Sequence, residues 1–175
     1  QIFGFMDMLR FKKLVPNRPA ALAAGSNAPL PTSYRTNELA KALHPGEMEV
    51  EVTAIRPLTD AMTELTFKRV DSSAFPFFRA GQYVSLRGQV GSSLVSRPYS
   101  IASSPREALE NKLVLGVENV GFFSSYLNKQ VSVGDRFAMT EPSGEFHYEA
   151  LRDKKRIVCI AGGTGITPFL SMAKS

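Results

Sequence analysis

From Glu47 onward the chain alternates with a period of two. Met48, Val50, Val52 and Ala54 interleave with Glu47, Glu49, Glu51 and Thr53, the pattern of a strand with one face in a core and one in water. Residues 57–61, starting at Pro57, predict a turn, and residues 62–69 a second strand antiparallel to the first. A Phe-rich stretch (Phe75, Phe77, Phe78) and a turn at Ala80-Gly81 lead into a third strand over 82–87. A fourth follows over 96–102, a fifth over 112–118 and a sixth over 135–140. A short helix is predicted over 122–128. Six short antiparallel strands with one helix predict a mainly β fold, a small closed barrel.

The pattern differs on either side of this block. Upstream, residues 34–43 predict a short helix with Leu39 and Leu43 on one face, ended by His44-Pro45-Gly46. Residues 15–31, rich in Pro, Ala, Asn and Gly, read as a linker. Residues 2–11 are apolar, broken by Asp7 and Arg10, and followed by Lys12 and Lys13. A short surface or linker helix is the expectation there, and the end of a membrane helix is the alternative. Downstream, a polar boundary at 152–156 precedes the apolar run 157–161, which predicts a buried parallel strand with Cys159 in the core. A Gly-rich turn and a helix over 166–173 follow, the opening βα unit of a nucleotide-binding α/β domain. The expected organisation is therefore an extension over 1–46, a barrel over 47–152 and the start of an α/β domain over 153–175. One βα unit cannot bury its own faces, so this end is expected to be poorly ordered by itself. The chain begins with Gln1 rather than Met, which reads as processing or as an excerpt of something longer.

Composition narrows the function. The 175 residues carry a formal net charge of +5, with 43% hydrophobic and 21% charged residues, an ordinary globular balance. The single cysteine excludes an intrachain disulfide and an intrachain cysteine cluster for metal or iron–sulfur, and it fits a reducing, cytoplasmic compartment. A basic surface can meet an acidic protein, but no Lys/Arg block is interleaved with aromatics, so nucleic acid is not an expected partner. His44 and His147 read as a loop residue and a strand-end residue rather than as metal ligands, and no metal is expected.

Three motifs carry chemistry. Arg97-Pro98-Tyr99-Ser100 sets a cation, a ring and a hydroxyl on one strand. Arg97 can bind a diphosphate and Tyr99 can stack on a flat ring. Pro98 requires an edge position. Alternation turns Arg97 and Tyr99 to one face and Ser100 to the other, so a local twist is needed if all three serve one ligand; an ordinary polar edge strand is the other reading. In Gly121-Phe122-Phe123-Ser124 a glycine opens a helix whose free N–H groups suit phosphate, and Ser124 can cap the helix; a plain capped helix reads the same way. Gly162-Gly163-Thr164-Gly165, with Thr167 and Pro168, follows the apolar run in the order strand, glycines, helix, which suits a pyrophosphate. Val133-Gly134-Asp135 and the stretch from Glu141 to Phe146 read as turn chemistry.

In this order the motifs resemble the ferredoxin–NADP⁺ reductase superfamily, from about Glu47 to the C-terminus. The resemblance implies that Arg97 binds the flavin phosphate, Tyr99 stacks on the isoalloxazine, and Ser100 hydrogen-bonds near flavin N5 and tunes it as the catalytic residue. Pro98 belongs to the same strand. It implies that Gly121, Phe122, Phe123 and Ser124 hold the diphosphate, and that Ile101, Ser103 and Val117 touch the ribityl or adenosine part. Gly162, Gly163, Thr164, Gly165, Thr167 and Pro168 would begin the NAD(P)H site. The family's later cysteine motif and the segment that selects NADH or NADPH do not occur in these residues. The implied cofactor is FAD, with FMN the alternative, and NAD(P)H is the implied electron donor. The implied partner is an iron–sulfur or haem protein or domain. A membrane-associated reductase anchored through the N-terminus and a non-catalytic flavin-binding module are the alternatives.

Overall fold

The computed structural model describes residues 34–175, together with Ala23 and Gly25. Apart from those two, the expected linker at 15–31 and the apolar-to-basic segment at 2–13 lie outside the described residues. The chain divides into two units, Gln1–Tyr34 and Arg35–Ser175, and every element named below belongs to the second. No helix of the described residues is long and apolar enough to cross a membrane.

Helix α1 (Arg35–Leu43) buries none of its residues. It leads into β1 (Glu47–Thr59), β2 (Met62–Arg69), β3 (Tyr83–Val90) and β4 (Ser93–Ser100), then α2 (Pro105–Leu109), β5 (Leu113–Glu118), α3 (Phe122–Lys129) and β6 (Arg136–Thr140). The six strands form one sheet in the order β4-β3-β6-β1-β2-β5. Every neighbouring pair is antiparallel. The two outer strands approach again where β4 ends. Ile101 forms an antiparallel bridge with Leu115, and the Ala102 N–H donates to the Val114 carbonyl at 2.8 Å. The sheet is thus curled into the expected barrel, joined along a short seam.

The core follows the alternation. Met48, Val50 and Val52 of β1, Leu65 and Phe67 of β2, and Leu113, Leu115 and Val117 of β5 are buried together. Phe67 meets Phe137 edge-on, with centroids 6.2 Å apart, an arrangement that aromatic quadrupoles favour. Helix α3 sends Phe123 and Leu127 into the same core.

Several boundaries differ from expectation. β1 does not turn at Pro57 but runs on to Thr59, and only Asp60 and Ala61 turn. β6 pairs only with residues 47–51 of β1, so the side of Pro57 that lacks an N–H has no ladder to break. The third and fourth strands extend toward each other as a hairpin that turns at Gly91-Ser92. Helix α2 is unanticipated, although its start is written in the sequence. The Ser104 N–H donates to the Glu107 carboxylate at 2.9 Å, while the Ser104 hydroxyl accepts from the Glu107 N–H at 3.4 Å, a capping box with Pro105 in the first turn. His147 lies in an irregular segment rather than at a strand end.

The larger correction lies at the C-terminal end. Residues 157–161 form no strand, and Val158 and Ile160 are 86% and 89% exposed. Cys159 is exposed rather than in the core. A strand needs neighbouring strands for its backbone hydrogen bonds, and no described strand pairs with this one. The helix beyond it has no such need. After a 3₁₀ turn (Gly163–Ile166), α4 (Thr167–Ala173) packs on the barrel. The Ser171 hydroxyl donates to the Ser103 carbonyl at 2.6 Å and Lys174 Nζ to the Ala102 carbonyl at 3.2 Å. Phe169 meets Phe146 edge-on at 5.5 Å. The unit is therefore not loose as a whole: residues 157–161 lack strand partners, and the helix beyond them is held by its own contacts.

Phe67 is fully buried, so Phe67→Ala is expected to cost about 3–5 kcal/mol of folding stability. Urea unfolding measures it, and a loss below about 1 kcal/mol would place the core elsewhere.

Candidate functional site

The seam sets the last turn of β4 opposite the end of β5, and a cleft of about 420 Å³ opens between them. Its walls are Arg97, Pro98, Tyr99 and Ser100 of β4, Gly116 and Glu118 of β5, and Val120 with Gly121, Phe122, Phe123 and Ser124 at the start of α3. Thr164 and Thr167 close the remaining side.

Each wall is positioned for a local reason. β4 is an outer strand, so Pro98 removes no ladder hydrogen bond from a second neighbour. Register places Arg97 opposite Leu86 and Tyr99 opposite Val84, so both side chains start from the core-facing side of the sheet. Tyr99 packs against the core. Burial pushes its phenol up from 10.0 to about 12, with the nearby Arg97 guanidinium pulling the other way; Tyr99 is therefore a neutral hydrogen-bonding ring at any physiological pH. Arg97 donates to the Ser96 carbonyl at 2.7 Å and has no carboxylate partner among the described residues. Ser100 lines the same cleft although it alternates with them, because the strand curls toward the seam.

Helix α3 begins with no intrahelical acceptor for its first N–H groups. The Ser124 hydroxyl turns back instead, accepting from the Gly121 N–H at 2.9 Å and the Val120 N–H at 3.1 Å while donating to the Gly121 carbonyl at 3.1 Å. Its hydroxyl is thus used in the turn. Gly121 has nothing within 4 Å of where a Cβ would stand, so the backbone there is open to close approach. In the Gly-rich turn, Gly163 has φ +54°, a left-handed conformation that favours glycine. The Gly165 N–H donates to the Gly162 carbonyl at 3.0 Å, and the Thr167 hydroxyl to the Thr164 carbonyl at 2.8 Å.

The structure thus brings together ten residues singled out in the sequence: Arg97, Pro98, Tyr99, Ser100, Gly121, Phe122, Phe123, Ser124, Thr164 and Thr167. It does not bring the others to the cleft wall. Ile101, Ser103 and Val117 are fully buried. The Ser103 hydroxyl accepts from the Val114 N–H at 3.1 Å, so its contacts hold the seam and α4. Gly162, Gly163, Gly165 and Pro168 do not line the cleft, although Thr164 and Thr167 of the same segment do. Gly116, Glu118 and Val120 were missed. The first two occupy the polar phase of β5, alternating with Leu115 and Val117, and that phase alone gave no sign of a ligand. Gly116 carries a steric signal only in three dimensions: a Cβ there would stand 2.7 Å from the Met62 methyl and 3.5 Å from the Thr167 hydroxyl.

The donor set fits a dinucleotide of the flavin type: a guanidinium without a counter-charge, a helix start and an open glycine for phosphate, and a half-buried neutral ring. Comparison with known proteins agrees. The sequence profile of the oxidoreductase FAD-binding domain matches residues 49–148. The chain is 34% identical over 124 residues to the carnitine monooxygenase reductase subunit of Escherichia coli, covering 70% of this chain and 38% of that protein. It is 32% identical over 157 residues to a flavohemoprotein of Candida albicans, covering 86% and 38%. Among solved structures, an Amycolatopsis cytochrome P450 reductase superposes with a TM-score of 0.64 at 28% identity, covering 73% of this chain and 38% of that one. The chain spans about two fifths of the length of these relatives.

Of the five tyrosines, Tyr99 is expected to be the last to ionise in an ultraviolet titration, near pH 12. Its folded value is raised, so any stability it contributes is complete below the unfolded value near 10 and is lost as pH rises through about 12. Tyr99→Phe should remove amplitude near pH 12; amplitude lost near pH 10 instead would place Tyr99 in water.

Proposed function

Because the chain belongs to the oxidoreductase FAD-binding domain family, we propose that it is the flavin-holding part of an NAD(P)H-dependent flavoprotein reductase. In this reading the whole protein passes electrons to an iron–sulfur or haem acceptor. The observation that carries the reading is the convergence of Arg97, Tyr99, Ser100 and the start of α3 on one cleft. The relatives add support, since they are named a monooxygenase reductase subunit, a flavohemoprotein and a cytochrome P450 reductase.

Each residue then has a task. Arg97 neutralises phosphate through charge-assisted hydrogen bonds. Its lack of a carboxylate partner means that binding breaks no ion pair. Phe122 and Phe123 offer backbone N–H groups at the positive end of α3, and Gly121, without a Cβ, lets phosphate come close to them. This pairing of Arg97 with a helix start favours FAD over FMN, whose single phosphate leaves one of them unused. Tyr99 supplies a flat neutral surface for the ring, and the Ser100 hydroxyl beside it supplies a hydrogen bond at the redox-active edge. Phe123, buried beneath the cleft, keeps water from its floor. When bound, FAD supplies the exchange between two-electron and one-electron transfer, and the protein supplies orientation and hydrogen bonding. Thr164, Thr167 and the glycines around them would begin the NAD(P)H site. The net charge of +5 favours an acceptor with an acidic face.

Arg97→Ala is expected to weaken FAD binding about 10–100-fold, as loss of a hydrogen bond to a charged group does, while riboflavin, which lacks phosphate, is held within about threefold of the original affinity. Flavin fluorescence titration reads both; an equal loss for both ligands, or none, overturns the phosphate role. Anaerobic mixing of the full-length, FAD-loaded protein with NADH or NADPH should bleach the flavin absorbance, and absorbance that persists with both donors overturns the reductase reading.

A further inference from the structure

One charged group in the cleft is left without a task. Glu118 ends β5, and its carboxylate forms no ion pair or hydrogen bond among the described residues. It shares the cleft with Arg97, so the cavity carries one free cation and one free anion on facing strands. Its Oε2 lies 3.9 Å from where a Cβ on Gly163 would stand, which places it where the cleft meets the Gly-rich turn. An unpaired carboxylate beside a phosphate-binding cleft is not neutral in effect. It repels phosphate and accepts hydrogen bonds from hydroxyl groups, and it is strongest as an acceptor where water is partly excluded.

We propose that Glu118 accepts hydrogen bonds from the hydroxylated, uncharged chain of the bound flavin and so fixes which way round the nucleotide lies, with phosphate directed to Arg97. This inference rests on the flavin reading above. A dinucleotide has a hydroxyl-rich part and an anionic part. A cleft with a cation on one strand and a carboxylate on the other accepts these parts in one order and disfavours the reverse. Glu118 is half-exposed and outside the core, so replacing it leaves the barrel packing in place.

The test is a fluorescence titration of the full chain and its Glu118→Ala and Glu118→Gln variants with lumiflavin, riboflavin, FMN and FAD. Lumiflavin carries the ring without the hydroxylated chain. Glu118→Ala is expected to weaken riboflavin, FMN and FAD by about tenfold each and to leave lumiflavin unchanged. Glu118→Gln, which keeps one acceptor oxygen, is expected to recover most of that loss. A variant that tightens FMN and FAD while leaving riboflavin unchanged shows charge repulsion alone and overturns the proposal. So does equal loss for lumiflavin, which marks a structural effect, and so do unchanged affinities throughout. An original chain that binds none of the four overturns the flavin reading itself, whereas binding that ignores Glu118 overturns only this inference.

Discussion

The structure depends on the seam between β4 and β5. These strands stand at opposite ends of the sheet order, and the bond from the Ala102 N–H to the Val114 carbonyl, with the Ile101–Leu115 bridge, brings them side by side. Without it the sheet would be open and Arg97 and Glu118 would lie at its two far edges. With it, the cation, the ring and the hydroxyl of β4 face the outer side of β5 across one cleft. The seam also supplies acceptors to the C-terminal helix, since the Ala102 and Ser103 carbonyls bind Lys174 and Ser171. The same short segment therefore closes the barrel, shapes the cleft and anchors the start of the next unit.

Closure resolves a conflict within the β4 motif. On a flat strand, Arg97 and Tyr99 project to one side and Ser100 to the other, and no single ligand would touch all three. Sheets twist, and the twist rotates the side chains of a strand progressively along its length. Ser100, the last residue of β4 before the bridge at Ile101, comes round to the same cavity. The burial of Ile101 and Ser103 has the same origin: residues that fasten a seam must turn inward. Their side chains serve closure, and the ligand-facing work falls to the residues before them.

The sheet was legible in the sequence because its signal is local. Met48, Val50 and Val52 alternate with glutamates, and that alternation specifies a face without reference to anything distant. The cleft was legible in part, because Arg97, Tyr99 and Gly121 announce their chemistry by type and spacing. What escaped depends on distant partners. Glu118 reads as an ordinary outward residue of β5 until the seam sets Arg97 across from it and Gly163 beside it. The run at 157–161 has the composition of a buried strand, but composition cannot supply the neighbours that a strand bonds to. Helix α2 was missed for a different reason: its capping box at Ser104 and Glu107 is local, and was overlooked in favour of the glycines and strands around it.

The proposed function requires that one cleft, formed where β4, β5 and α3 meet, receives FAD. Amide chemical-shift mapping by NMR, with the full chain titrated with FAD, tests this most directly. A saturable one-to-one complex is expected, with the largest shifts at Tyr99, Ser100, Gly116, Glu118 and the first turn of α3. Saturable binding with the largest shifts on the face formed by β1 and β6, or no binding at all, would contradict it.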